Sequence, residues 1–148
     1  MNRIFKKSAG VTLLEIMLVL AVAAMIIVMS IRYFQSSQAS QQANATMSQI
    51  QAITSGMDNL AQGGAGSYTS IVDSDLAAAV GSTNMTTITG DTATISGTST
   101  ATTYTISMQL NSKTCAQVAK KLEGNVNIAP DVSACGTGLL SYTYDSTK

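Results

Sequence analysis

Apolar residues follow three different rhythms along this chain. From Val11 to Ile31 the sequence VTLLEIMLVLAVAAMIIVMSI is apolar at almost every position, with one charge, Glu15, in its fifth place. About 20 such residues make roughly 30 Å of α-helix, which matches the hydrocarbon core of a bilayer. After Arg32-Tyr33-Phe34 the rhythm changes. Ala39, Ala43, Met47, Ile50, Ile53, Met57 and Leu60 recur at spacings of three or four among Gln, Ser and Asn. That stripe predicts an amphipathic helix. No Pro or Gly interrupts it before Gly56, and Gly63-Gly64-Ala65-Gly66 predicts its end. Joined, the two halves predict one helix from Val11 to about Ala61, roughly 75 Å long. A domain of this size cannot shelter such a rod. Its amphipathic half is expected to carry a globular head. Its apolar half is expected to project into a second environment, first lipid and then neighbouring copies.

The third rhythm is that of strands. Asp73, Ser74 or Asp75 are N-cap candidates for one or two helical turns through Leu76-Ala77-Ala78-Ala79-Val80, stopped by Gly81. Thr86-Thr87-Ile88-Thr89 and Thr92-Ala93-Thr94-Ile95 flank Gly90-Asp91, a two-residue hairpin signal. Tyr104, Ile106, Met108 and Leu110 alternate with Thr, Ser and Gln, as in a half-buried strand. The abundance of Ser and Thr over 82–110 also suits a disordered tract, but the alternation is orderly. SKTCAQVAKKLEG from Ser112 to Gly124 predicts an N-capped helix with Val118 and Leu122 on one face. Val126–Ile128 and Leu139–Tyr144 are further strand candidates, separated by Pro130 and Gly136. The expected class is α+β: a long helical spine, a small antiparallel sheet and a covering helix.

Composition narrows the chemistry. The 148 residues carry no net charge and only 11% of them are charged, so no basic face invites nucleic acid. The balance hides an asymmetry, because Arg3, Lys6 and Lys7 precede the apolar run while Glu15 is the only acid before Asp58. Without the first ten residues, five basic side chains would face eight acids. A basic segment followed by an apolar one marks export or membrane insertion. With no His and two Cys, a zinc site has almost nothing to be built from, and neither a Ser-His-Asp nor a Cys-His arrangement can be assembled; Ser/Lys or carboxylate-pair chemistry stays open, but no motif supports either. No catalytic residue, metal ligand or cofactor is expected. Asp73, Asp75 and Asp91 are scattered and suit caps and turns. Cys115 and Cys135, an even pair in an exported chain, read as a disulfide closing about twenty residues, with two buried thiols as the alternative.

Glu15 separates the readings of the apolar run. A carboxylate inside a membrane helix costs on the order of 2.5–3.5 kcal/mol, so it needs a partner. Ala21-Val22-Ala23 resembles a signal-peptidase site, but a cut there would leave MIIVMSI exposed and Glu15 in mid-signal. A plain membrane anchor and a buried core helix are the other simple readings.

The string Lys6-Lys7-Ser8-Ala9-Gly10 followed by Val11-Thr12-Leu13-Leu14-Glu15 resembles the processing site of type IV prepilins. In that family a basic leader ends in Gly, an apolar residue becomes the new terminus, and Glu stands fifth. The resemblance implies that a prepilin peptidase cuts between Gly10 and Val11 and methylates the Val11 nitrogen. It implies that Val11, Thr12 and Glu15 act in filament assembly. The new α-ammonium is cationic at neutral pH. It can meet the Glu15 carboxylate of a neighbouring copy and fix axial register, as a lone polar residue does in a coiled coil. Cys115 and Cys135 occupy the cysteine places of the family's disulfide-closed C-terminal region. Thr114-Cys115-Ala116, the stretch Tyr33-Phe34-Gln35-Ser36 and a terminal residue other than Phe are similar to type IVb major pilins, the group of bundlin, the toxin-coregulated pilin and conjugative thin-pilus pilins. The ten-residue leader is short for that subclass, and the helix lacks the Pro common in type IVa.

The implied organisation is a leader at 1–10, a membrane and filament-core half-helix at 11–32, an amphipathic half at 33–62 and a globular region at 63–148. The implied role is structural rather than enzymatic: a homopolymer built by the inner-membrane assembly machinery. It would lie in the inner membrane as precursor and then in an extracellular pilus of a Gram-negative bacterium, serving adhesion, aggregation or mating contact. A minor pilin, a type II secretion pseudopilin and a membrane-anchored periplasmic binding module are the alternatives.

Overall fold

The computed structural model describes residues 12–96 and 99–148. The basic leader, Gly10 and Val11 lie outside the described residues. Helix α1 spans Leu13–Gly63, 51 residues without a break. The chain divides into two compact units, one running to Ser37 and the other covering Gln38–Lys148.

The second unit is an α+β head. The C-terminal half of α1 buries Ala39, Ala43, Thr46, Ile50, Ile53, Gly56, Met57 and Ala61, while Met47 and Leu60 pack at the rim of the core. The buried face is the stripe read from the sequence, widened by small residues that let partners approach. After α1 come α2 (Asp73–Val80), α3 (Ser82–Met85), β1 (Thr94–Ile95), β2 (Thr103–Gln109), α4 (Ser112–Leu122), β3 (Ile128–Asp131), a 3-10 turn over Ser133–Thr137 and β4 (Leu139–Asp145). The strands form one antiparallel sheet in the order β1-β2-β4-β3. Tyr104, Ile106 and Met108 of β2 and Leu140 and Tyr142 of β4 are buried in the same core as α1. Their neighbours point the other way, where Thr105 pairs with Thr143 and Ser107 with Ser141 through hydroxyl contacts of 2.9 and 3.3 Å. Period-two alternation makes one face core and the other hydroxyl-rich.

Two glycines are fixed by their surroundings. A Cβ at Gly56 would lie 2.1 Å from Val80 Cγ2, so α2 packs against α1 only because that position has no side chain. Gly138 has φ +84° and a Cβ there would lie 2.2 Å from Leu110 O, while its own carbonyl accepts the Leu110 N–H at 2.7 Å.

Some sequence expectations need correction. Residues Thr86–Ile95 do not form a hairpin on Gly90-Asp91. Thr86 and Thr92 share one bridge, and β1 pairs with β2 instead. The reason is a long-range bond backed by local ones: Thr89 Oγ1 donates to Gln109 O (2.8 Å) and contacts Thr87 Oγ1 (2.8 Å) and Asp91 (3.1 Å), which holds a wider loop. The N-cap of α2 is Val72, and Asp75 accepts the Val72 N–H from inside the helix (3.4 Å). Asp73 instead accepts the Ile95 N–H at 2.6 Å and ties α2 to β1. Asn111 precedes α4 without a side-chain capping bond. The strand placed at Val126–Ile128 begins at Ile128 and runs through Pro130; Val126 is 75% exposed in the preceding turn. Proline is tolerated there because β3 is an edge strand.

Candidate functional site

The first unit is built from the apolar half of α1. Thr12 opens the helix. Its carbonyl accepts the Glu15 N–H at 3.0 Å and the Ile16 N–H at 3.2 Å, and its hydroxyl accepts the Glu15 N–H at 3.3 Å. Thr12-Leu13-Leu14-Glu15 therefore has the threonine-to-glutamate spacing of a capping box, a helix-start signal that the sequence reading passed over. Glu15 also stands in the first turn, where the helix dipole favours a negative charge. A local structural use for this acid thus sits beside the assembly role implied by the resemblance.

Beyond Glu15 the segment offers no further charge until Arg32. Its side chains are exposed all around the helix, from Leu13 (79%) and Leu14 (74%) to Met25 (68%) and Met29 (71%). The most apolar 18-residue window has a mean hydropathy of 2.7, and none of it is buried. By length and composition the helix is able to cross a membrane. Near its C-terminal end Ser30 gives its proton to Ile26 O at 2.8 Å, the backbone bond that a hydroxyl makes within a helix. Arg32, Tyr33 and Phe34 follow directly, the residue types that favour a membrane–water boundary.

In the head, Cys115 and Cys135 form a disulfide with Cα atoms 5.5 Å apart. It joins α4 to the 3-10 turn. Helix α4 is also held to α1 by Thr114 Oγ1, which donates to Gln42 Oε1 (3.1 Å), and by Lys121 Nζ, which donates to Asn44 Oδ1. Among the described residues no group of three or more His, Cys, Asp and Glu converges to hold a metal ion.

Four of the five tyrosines gather beneath α1. Tyr104 stacks on Tyr144 with ring centres 5.1 Å apart, and Tyr68 meets Tyr104 edge-on at 4.9 Å. Tyr68 donates to Asp58 Oδ1 at 2.6 Å. Burial, reinforced by that bond, pushes the Tyr68 hydroxyl above the usual phenol range. Burial also raises Tyr104, Tyr142 and Tyr144. The Tyr104 and Tyr142 hydroxyls are buried without a hydrogen-bond partner. Thr54 is the neighbouring hydroxyl, and its proton goes to Ile50 O at 2.9 Å.

A cavity of about 290 Å³ opens nearby, between α1, the end of α4, the turn before β3 and Tyr144. Sequence reasoning did not find it. Its polar residues, Gln51, Thr54, Ser55, Asn125 and Asn127, carry no periodic signal and come from α1 and from the turn before β3, which only the fold unites.

Comparison with protein families, with characterised proteins and with solved structures finds no match to this chain.

Proposed function

We propose that this chain is a structural subunit of a type IV pilus, made as a membrane-anchored prepilin. The observation that carries the proposal is the exposed apolar half of α1 with its lone carboxylate, Glu15, in the first turn. Such a surface is unstable in water and must be covered. A bilayer covers it before assembly, and the same helices from other copies cover it afterwards. Because lipid tails are as apolar as leucine, the transfer between them gains little hydrophobic free energy. Charge supplies the difference. Cleavage after Gly10 creates the Val11 ammonium, and pairing it with Glu15 of the adjacent copy removes two unpaired charges from an apolar medium. The peptidase, the assembly machinery and the final place outside the cell belong to this proposal. The disulfide-closed head and the low charge of the chain suit a surface polymer, and they support a major pilin over the alternatives.

The test uses Glu15→Val and Glu15→Gln, expressed with the secretion partners. Glutamine keeps an acceptor for the helix start but lacks the charge, so it separates capping from pairing. Both variants are expected in the membrane fraction, cleaved, with the yield of sheared filament at least tenfold lower. Losing one partner of a buried pair costs about 3–5 kcal/mol, so the drop should be large. Normal filaments from Glu15→Gln refute the pairing.

A further inference from the structure

We propose that the cavity beside Tyr144 is a binding site for a neutral sugar ring. The site lies wholly within the head, so the inference stands whether or not the chain polymerises.

Its lining is uncharged. Gln51 and Ser55 come from one side of α1, Asn125 and Asn127 from the turn leading into β3, and Tyr144 from β4. Gln51, Ser55 and Asn125 are exposed and Asn127 and Tyr144 half-buried. Most of their hydrogen-bonding capacity has no protein partner among the described residues, so a ligand would exchange with water there. The Gln51 amide, the Ser55 hydroxyl and the Tyr144 hydroxyl make no side-chain bond there. Asn125 uses only its Oδ1, which accepts the Asn127 N–H at 3.1 Å, leaving its NH2 group. Asn127 uses only its Nδ2, which donates to Asp145 O at 3.0 Å, leaving its oxygen. Donors and acceptors therefore alternate around one opening, with no ammonium, guanidinium or carboxylate to bias it toward an ion. Met47, Ile50, Leu122 and Ile128 supply the apolar remainder.

That combination matches the two-sided chemistry of a pyranose: hydroxyls at the rim and a C–H face. Amide side chains both donate to and accept from a sugar hydroxyl, and an aromatic ring covers its C–H face. Tyr144 lines the cavity and is held in place, because its ring stacks on Tyr104 at 5.1 Å and its backbone is in register with Ile128 and Tyr104. A rigid aromatic wall lowers the ordering cost of binding. The volume lies at the small end of ligand pockets, which run about 300–1,000 Å³, and so suits one ring rather than an extended chain. An apolar ligand would leave five polar groups unpaired, and an anion or cation would find no counter-charge.

The experiment is saturation-transfer NMR on the full chain, held in a detergent without a sugar headgroup. The panel is glucose, galactose, mannose, N-acetylglucosamine and N-acetylgalactosamine, with sialic acid as the charged comparison. At least one neutral sugar is expected to bind with a Kd on the order of 1 mM, as a small ligand with few polar contacts does. Added salt should not change it, because no charge pair is involved. Gln51→Ala and Asn125→Ala should each weaken binding about fivefold or more, with the unfolding temperature unchanged. Silence across the neutral panel overturns the proposal. So does binding that survives in the double variant, or binding confined to sialic acid. If the double variant binds no sugar but blocks association of copies, while the parent chain also ignores the panel, the cavity is a contact between copies and the proposal fails.

Discussion

Opening the Cys115–Cys135 loop is the clearest way to weigh what the head depends on. The bridge spans a sequence separation of 20 and ties buried Cys115 of α4 to Cys135 of the 3-10 turn. Closing a loop of that length removes chain entropy from the unfolded state equivalent to about 3 kcal/mol. The turn it anchors also carries Gly138, whose carbonyl receives the Leu110 N–H at the end of β2. Without the link, the 3-10 turn still keeps the Gln109 Nε2 bond to Thr137 O (2.8 Å) and the Ser133 bonds to Asp131 (2.9 and 2.6 Å). For a unit the size of Gln38–Lys148, about 3 kcal/mol corresponds to a fall in Tm of roughly 12–15 °C. Thermal melts of the full chain in detergent, followed by far-ultraviolet circular dichroism, compare the oxidised protein with Cys115→Ala/Cys135→Ala. The double variant should melt lower by that amount. Reductant should lower the parent chain and leave the variant unmoved. A difference of under about 3 °C, a small fraction of the loop-closure value, refutes the reasoning.

Three further outcomes follow from the core. Gly138→Ala places a Cβ 2.2 Å from Leu110 O at a φ of +84°; left-handed backbone costs about 1–2 kcal/mol and the displaced Leu110 bond about 1 more, so denaturant titration should show a loss of about 2–3 kcal/mol. Tyr142→Phe removes a buried hydroxyl that has no partner, so chemical unfolding should find it neutral or more stable by about 1 kcal/mol, and a clear loss would mean that the hydroxyl is satisfied. Alkaline pH should unfold the head. Burial raises the Tyr104 and Tyr142 phenols above their usual range. Folding therefore favours the protonated form, and its contribution is complete below the unfolded value of about 10. It is lost as pH rises beyond that, by up to about 1.4 kcal/mol per pH unit for each group. Phenolate absorbance of these two rings, isolated by difference against Tyr104→Phe and Tyr142→Phe, should appear together with loss of circular dichroism; reversible ionisation of either ring with the fold intact contradicts this.

The spine and the central strands were legible in the sequence because each is set by a strong local period. The stripe from Ala39 to Leu60 and the alternation from Tyr104 to Met108 leave few other ways to bury those residues. The cysteine pairing was legible because only two were present. Long-range bonds were not. Thr86–Ile95 carries good turn chemistry, yet Thr89 reaching Gln109 and Ile95 reaching Asp73 override it. Strand β3 runs through Pro130, which is harmless only at a sheet edge, and edges are a property of the assembled order. The head cavity was hidden for the same reason. Its amides come from a helix and a turn about seventy residues apart, and no pattern along the chain relates Gln51 to Asn125. The threonine-to-glutamate spacing at Thr12 was readable and marks why Glu15 needs a charge-specific test.

Intact-mass spectrometry of the chain recovered from sheared surface filaments probes the central claim most directly. The account predicts a mass that begins at N-methylated Val11, with Cys115 and Cys135 oxidised. A filament-borne chain that keeps Met1–Gly10, or a chain found only in the membrane while its secretion partners are present, contradicts it.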